Sequence, residues 1–233
     1  MPASAFKQYY IHDVLILPNY RLKENSRSDT VKRNTRSRAS VDTVVYEGFK
    51  IVDRRKMFKS FIFHQAMQLR PGDIYNVKDQ NIALNRLVTL GTFKFVKNEF
   101  RRVKDTNANL LNLTYYLTPY PKKVFNAELG GFTQNDSRAG SRGSISWRNR
   151  NFLRGAELFT VKLTGGFEAQ YGGVIKTPNT YNMGLETSLN VPRFIVPFFK
   201  IKPSSMFIPR TLMTAAYNYS LKRDYYKIYS LSF

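Results

Sequence analysis

From Leu158 to Tyr171 every second residue is apolar or small. Phe159, Val161, Leu163, Gly165, Phe167, Ala169 and Tyr171 alternate with Leu158, Thr160, Lys162, Thr164, Gly166, Glu168 and Gln170. A period of two is the signature of an extended strand with one apolar and one polar face. The next segment repeats it: Tyr181, Met183, Leu185, Thr187, Leu189 and Val191 oppose Asn182, Gly184, Glu186, Ser188 and Asn190. The length of these runs is the strongest constraint on the fold. Strands of soluble sheets average about 5–6 residues, whereas a tilted strand crossing a bilayer needs about 9–11. Both runs hold their alternation for at least the longer span. Such strands turn apolar side chains to lipid and polar or small ones to a wet interior, with aromatic residues near the interfaces; Tyr171, Tyr181, Tyr217 and Tyr219 suit that last place.

The same pattern extends over the second half of the chain. Phe125, Ala127, Leu129 and Gly131 oppose Asn126, Glu128 and Gly130; Met213, Ala215, Tyr217, Tyr219 and Leu221 oppose Thr214, Ala216, Asn218 and Ser220. After the turn Lys222-Arg223-Asp224 a last run reaches Phe233. No helical period recurs beyond Pro119-Tyr120-Pro121. The turn that feeds Leu158 carries Arg148, Arg150 and Arg154, which are expected at a membrane edge or in a watery interior, where cations also suit anionic headgroups.

The first half reads as mixed α and β. Tyr9 to Leu17 is an apolar run rich in Ile, Val and Tyr, expected as a buried strand. Residues 21–40 hold seven basic and two acidic residues with almost no apolar ones, so a solvated basic insertion is expected over about 21–45. Phe58, Phe61, Ile62, Ala66 and Leu69 mark one face of a helix between Arg54 and Leu69. A second helix is expected over about Lys78 to Leu90, capped by Asn76, with Leu84, Leu87 and Val88 inward and Gly91 just past its end. Strands follow at Phe93–Val103 and Leu110–Thr118. This strand, helix, helix, strand, strand order fits a small α+β unit with its sheet covered by helices on one face.

The net charge of +21 points to a polyanionic partner or an anionic surface. A soluble nucleic-acid binder would use that charge with interleaved aromatics such as Tyr225, Tyr226 and Tyr229. Against it, the cations are spread over the whole chain and the aromatics keep to the apolar faces of long strands. Cysteine is absent, which excludes disulfides and thiolate metal sites. His12 and His64 are the only histidines, too few for a metal centre or triad. The paired glycines Gly165-Gly166 and Gly172-Gly173 lack the Lys-Ser or Lys-Thr of a phosphate loop. Glu128, Glu168 and Glu186 fall on polar strand faces. No enzyme activity, cofactor or metal is expected.

Two stretches together resemble one family. Leu69 to Phe100 looks like the second half of a POTRA domain, where Gly72-Asp73-x-Tyr75 leads to a helix bearing Leu87-x-x-Leu90-Gly91-x-Phe93. Gly143 to Gln170 resembles the early barrel strands of the bacterial surface antigen (Omp85) superfamily, with the pattern Asn149-x-Asn151-Phe152-Leu153-x-Gly155. The form is most similar to TamA- and BamA-like members of the Bacteroidetes type. The resemblance implies a POTRA domain (β-α-α-β-β) over 1–121, then the first six or so strands of an antiparallel transmembrane β-barrel over 122–233. Because family barrels have about sixteen strands, within the known range, the chain reads as a fragment cut at both ends. The implied function is assembly and insertion of outer-membrane β-barrel proteins, without a cofactor. The implied partners are unfolded clients, outer-membrane lipid and accessory assembly subunits, with the POTRA part in the periplasm. The seam strand would carry Val124, Phe125, Ala127, Leu129, Gly130 and Gly131. A secretion pore of the same superfamily, exporting one dedicated partner, is the alternative.

Overall fold

The computed structural model describes residues 7–20, 43–103, 109–135, 137–172, 178–195 and 207–233. The chain divides into two compact units, the first formed by residues 1–120, 153–156 and 192–209, the second by 121–152, 157–191 and 210–233. The described residues 153–156, 192–195 and 207–209, which the sequence pattern places among the barrel strands, thus belong to the first unit.

The first unit is a five-stranded mixed sheet with two helices. In chain order these are β1 (Tyr10–Leu17), β2 (Thr43–Tyr46), β3 (Phe49–Val52), α1 (Phe61–Ala66), α2 (Val77–Thr89), β4 (Phe93–Arg102) and β5 (Leu110–Pro119). The sheet order is β2-β3-β1-β5-β4, with β1 parallel to both its neighbours. The expected β-α-α-β-β order is therefore incomplete, because a hairpin precedes the helices. Glu47 and Gly48, with φ of 47° and 86°, make the two-residue turn that this twist demands. The expected basic insertion ends before this hairpin, since 43–45 lie in β2; its residues 21–42 fall outside the described ones.

Helix α1 is much shorter than its apolar spacing suggests. The carboxylate of Asp53 accepts the backbone N–H of Arg55 at 3.2 Å and of Phe58 at 2.9 Å, and Lys56 sits at φ 47°. These residues are held as a turn before helix can start. The spacing still describes burial correctly, for Phe58, Ile62, Ala66 and Leu69 are all in the core.

Helix α2 agrees closely at both ends. The Asn76 side chain accepts from Lys78 N at 2.9 Å, and Gly91 takes φ 69° beyond the last turn. Its inward face differs from expectation: Ile82, Ala83, Arg86 and Leu87 are buried, Leu84 is partly buried and Val88 is 59% exposed. Arg86 is inward because it has acceptors there. Its Nη1 donates to Gln65 O at 3.2 Å, and a Gln68 amide turned oxygen-inward accepts from Nη1 and Nη2 at 3.0 and 2.9 Å. Burial lowers the guanidinium's pKa.

The expected buried strand at the start of the chain is β1, which buries one face. A register shift at His12 moves the inward set from Ile11 to Val14 and Ile16, so the apolar run hides a bulge. On β5, Leu111, Leu113, Tyr115 and Leu117 all face the core, as their alternation predicts. The Tyr115 hydroxyl is buried there with no hydrogen-bond partner, and desolvation pushes its pKa upward. Tyr115→Phe removes an unsatisfied polar atom without leaving a hole. It should keep or raise stability by about 1 kcal/mol in a denaturant titration of the full chain; a large loss would mean that the hydroxyl has a partner.

The second unit is a six-stranded antiparallel meander, β6 (Lys123–Gln134), β7 (Arg138–Arg150), β8 (Leu158–Gln170), β9 (Thr180–Val191), β10 (Thr211–Lys222) and β11 (Tyr226–Ser232). Five of the six strands have 12 or 13 residues. Each strand pairs with its sequence neighbours, and among the described residues β6 and β11 pair on one side only. The sheet is open.

Candidate membrane interface and open strand edges

Register decides whether six alternating strands make one face or a patchwork, since a slip of one residue reverses every side chain. Here the registers agree. The row Ala127–Ile145–Leu163–Leu185–Tyr217–Leu231 runs straight across the sheet in directly opposed pairs. So does the row Trp147–Val161–Thr187–Ala215 across the middle strands. The alternating residues read as apolar in sequence therefore collect on one face. Following the pairs strand by strand, its charged members are Lys123, opposite Asn149, and Lys227, opposite Leu221. They lie at opposite ends of the strands.

That face is not a core. Phe125 is 64% exposed, Leu129 88% and Met183 58%, and Ile145, Leu163, Leu185, Tyr217 and Leu231 are exposed as well. Among the described residues of these strands Val191 is the sole buried hydrophobic. Burial drives folding of a soluble sheet, and it is missing here. Aromatic clusters mark both ends of the face. Trp147 and Phe152 lie against Phe159 at 6.0 and 4.8 Å between ring centroids. Toward the other end, Phe167 meets Tyr181 and Tyr219 meets Tyr229, each at 5.1 Å. Phe159 and Phe167 are eight positions apart on β8, about 26 Å along the strand at the usual rise per residue and about 20 Å of height at the usual tilt of a transmembrane strand, which fits within the apolar band of about 25 Å on such barrels.

The opposite face is polar. Arg138 pairs with Glu168 at 3.0 Å, Lys162 is opposite Glu186, and Arg142 lies 5.6 Å from the Phe132 ring centre. A hollow of about 420 Å³ on the β6–β8 side is lined by Glu128, Arg142, Ser144, Lys162 and Thr164 among others. Sequence reasoning assigned this face to a solvated lumen but named no cluster on it. The register, which brings Arg142, Ser144 and Lys162 beside Glu128, was the missing information.

The seam residues expected from the sequence all lie on β6, with Phe125, Ala127, Leu129 and Gly131 on the apolar face and Val124 and Gly130 on the other. A Cβ added at Gly130 would meet nothing within 4 Å, so packing does not require glycine there. The motif residues of the turn lie where β7 ends and β8 begins. Asn149 and Asn151 are buried, and Asn151, Arg154 and Ala156 all take positive φ, 68°, 68° and 59°. Glu157 O accepts the N–H of both Asn151, at 2.7 Å, and Phe152, at 3.1 Å. This closes the turn tightly; Arg148 and Arg150 are half-buried, and Arg154 is exposed.

In the first unit, the Gly72-Asp73-x-Tyr75 turn straps the start of β1. Gly72 N donates to Ile11 O at 2.7 Å, Ile11 N to Asp73 O at 2.9 Å and Tyr75 N to Tyr9 O at 2.8 Å. Gly72 needs its freedom at φ 94°. Leu87 and Phe93 are core residues, the latter 5.2 Å from Phe58 between ring centres. The outer edges of this sheet are β2 and β4. Among the described residues no helix is long and apolar enough to cross a membrane, and no group of three His, Cys, Asp or Glu gathers as a metal site would require.

No protein-family model matches the chain, and no curated protein matches it. Among solved structures it is similar to that of BamA from Haemophilus ducreyi lacking POTRA domains 1–3, with 10% sequence identity and a TM-score of 0.38. That match covers 95% of this chain and 46% of the other, so the chain spans about half the length of its neighbour. At that score the likeness decides nothing, and the strands must carry the functional reading themselves.

Proposed function

We propose that the second unit is part of the wall of a bacterial outer-membrane β-barrel of the Omp85 kind, and that the protein assists assembly and insertion of other barrel proteins. One observation carries this reading: six strands in mutual register present an exposed apolar face whose charged residues stand only at its two ends. Water disfavours such a face and hydrocarbon suits it. The first unit, in this reading, is a POTRA-like domain carrying an added β2–β3 hairpin, on the periplasmic side.

Templating by strand addition is the mechanism the edges support. An unpaired strand offers a row of N–H and C=O groups that a client can pair with, whatever its sequence. Strand β6 has such an edge, and Gly130-Gly131 weakens its own packing. Edges β2 and β4 offer the same chemistry in the first unit. A photoreactive residue at Ala127 on β6 should capture nascent outer-membrane proteins in cells. The same residue at Val161 on β8, paired on both sides, should capture none. Equal capture at both positions would remove the templating role. Depletion should lower many unrelated outer-membrane proteins; loss of a single secreted protein would instead support an exporter of one partner.

A further inference from the structure

The β10–β11 hairpin closes at the Lys222–Tyr226 pair through Arg223-Asp224-Tyr225, with Asp224 at φ 64°. Tyr225 N donates to Lys222 O at 3.1 Å, and Arg223 N to Asn179 O at 3.1 Å, which ties the turn to the start of β9. Three cations, Lys222, Arg223 and Lys227, stand here against the one carboxylate of Asp224. Lys222 Nζ lies 5.2 Å from the Tyr225 ring centre, while Arg223 and Lys227 are exposed and, among the described residues, form no ion pair. Tyr225, Tyr226 and Tyr229 are 69%, 47% and 63% exposed. Lys227 ends the row Phe167–Tyr181–Leu221–Lys227 on the apolar face.

We propose that this hairpin, at the rim opposite the one where β6 begins, is a docking surface for the phosphorylated headgroups of anionic outer-leaflet lipid. It rests on the membrane-spanning reading and adds lipid selectivity to it. Tyrosines suit the boundary between acyl chain and headgroup, where the ring is half apolar and the hydroxyl wet. The ammonium of Lys227 reaches outward from the apolar face along its own stem, and Arg223 offers a phosphate two parallel donors. The cations sit where the apolar face ends, so that one lipid satisfies both: its phosphate meets Arg223 and Lys227 while its chains lie on Leu221, Tyr219 and Met183. A nucleic acid would gain the charge contacts but leave the apolar face in water.

The full 233-residue chain reconstituted in phosphatidylcholine vesicles should float with them. Spin-labelled phosphatidylglycerol should associate with it about threefold or more over spin-labelled phosphatidylcholine at low salt. The double variant Arg223→Gln, Lys227→Gln should bring that ratio close to one, Arg223→Lys with Lys227→Arg should restore it, and Lys123→Gln at the far end should leave most of it. A flotation-competent chain whose selectivity is absent, or survives the double neutral variant, overturns the headgroup site alone. A wild-type chain that folds yet floats with no vesicles overturns the spanning reading and this proposal with it.

Discussion

Leu163→Arg is expected to abolish membrane insertion of the second unit. Leu163 lies midway between Phe159 and Phe167 on the same face of β8, directly opposite Ile145 and Leu185, and is 48% exposed. If that face meets lipid, an arginine here sits near the bilayer midplane, where it costs about 2–4 kcal/mol in transmembrane barrels. The insertion equilibrium would fall by roughly 30- to 700-fold. Ser144→Arg changes charge by the same amount at nearly the same depth on the polar face, where the Ser144 hydroxyl is 3.5 Å from Glu128. It should insert like the parent chain. Resistance to carbonate extraction after reconstitution measures both, and equal behaviour of the two variants would mean that the apolar face is covered by protein.

Gly140→Val is expected to be the most damaging substitution within the sheet itself. A Cβ at Gly140 would stand 2.6 Å from the backbone oxygen of Phe167 and 2.5 Å from the Phe132 ring. The ring sits on the neighbouring strand opposite Gly140, covering the glycine as aromatics do in curved sheets, and it can turn aside. The backbone oxygen cannot move without breaking the β7–β8 ladder. A loss of about 3 kcal/mol or more follows from strain of this kind, read as a lowered midpoint in a denaturant titration of the reconstituted chain. Gly130→Val is the contrasting case, since its Cβ has open space and a β-branched residue favours the strand. It should fold at least as well, and the separation of the two outcomes tests whether each glycine is structural.

The sheet was legible in the sequence because its signal repeats. Four strands, β6, β8, β9 and β10, state their own two faces in sequence, and the pairing sets them in agreement; β8 and β9 fall within a residue or two of the expected runs. What alternation does not encode is pairing, so the cluster of Arg142, Lys162 and Glu128 on the polar face had no signature in any single strand. In the first unit the local cap at Asn76 and the turn glycine Gly91 fixed α2 well. Helix α1 was overextended because apolar spacing records which residues are buried, not whether a carboxylate such as Asp53 holds their backbone in another shape. The β2–β3 hairpin was missed although Val44-Val45-Tyr46 and Phe49-Lys50-Ile51-Val52 are β-branched and aromatic around a turn glycine. Its strands are 4 residues each, too short for periodicity to stand out beside a long basic stretch.

The meander of the second unit has an even number of strands, so β6 and β11 run in opposite directions. The chain therefore enters and leaves this sheet at the same rim. Any further hairpin joined at the β11 side would keep that parity, so in the proposed membrane-spanning reading the wall can grow in steps of two while the chain's entry and exit stay on one side of the bilayer. Circumference and threading are thereby decoupled: the number of strands can change while both ends of the sheet stay at one rim.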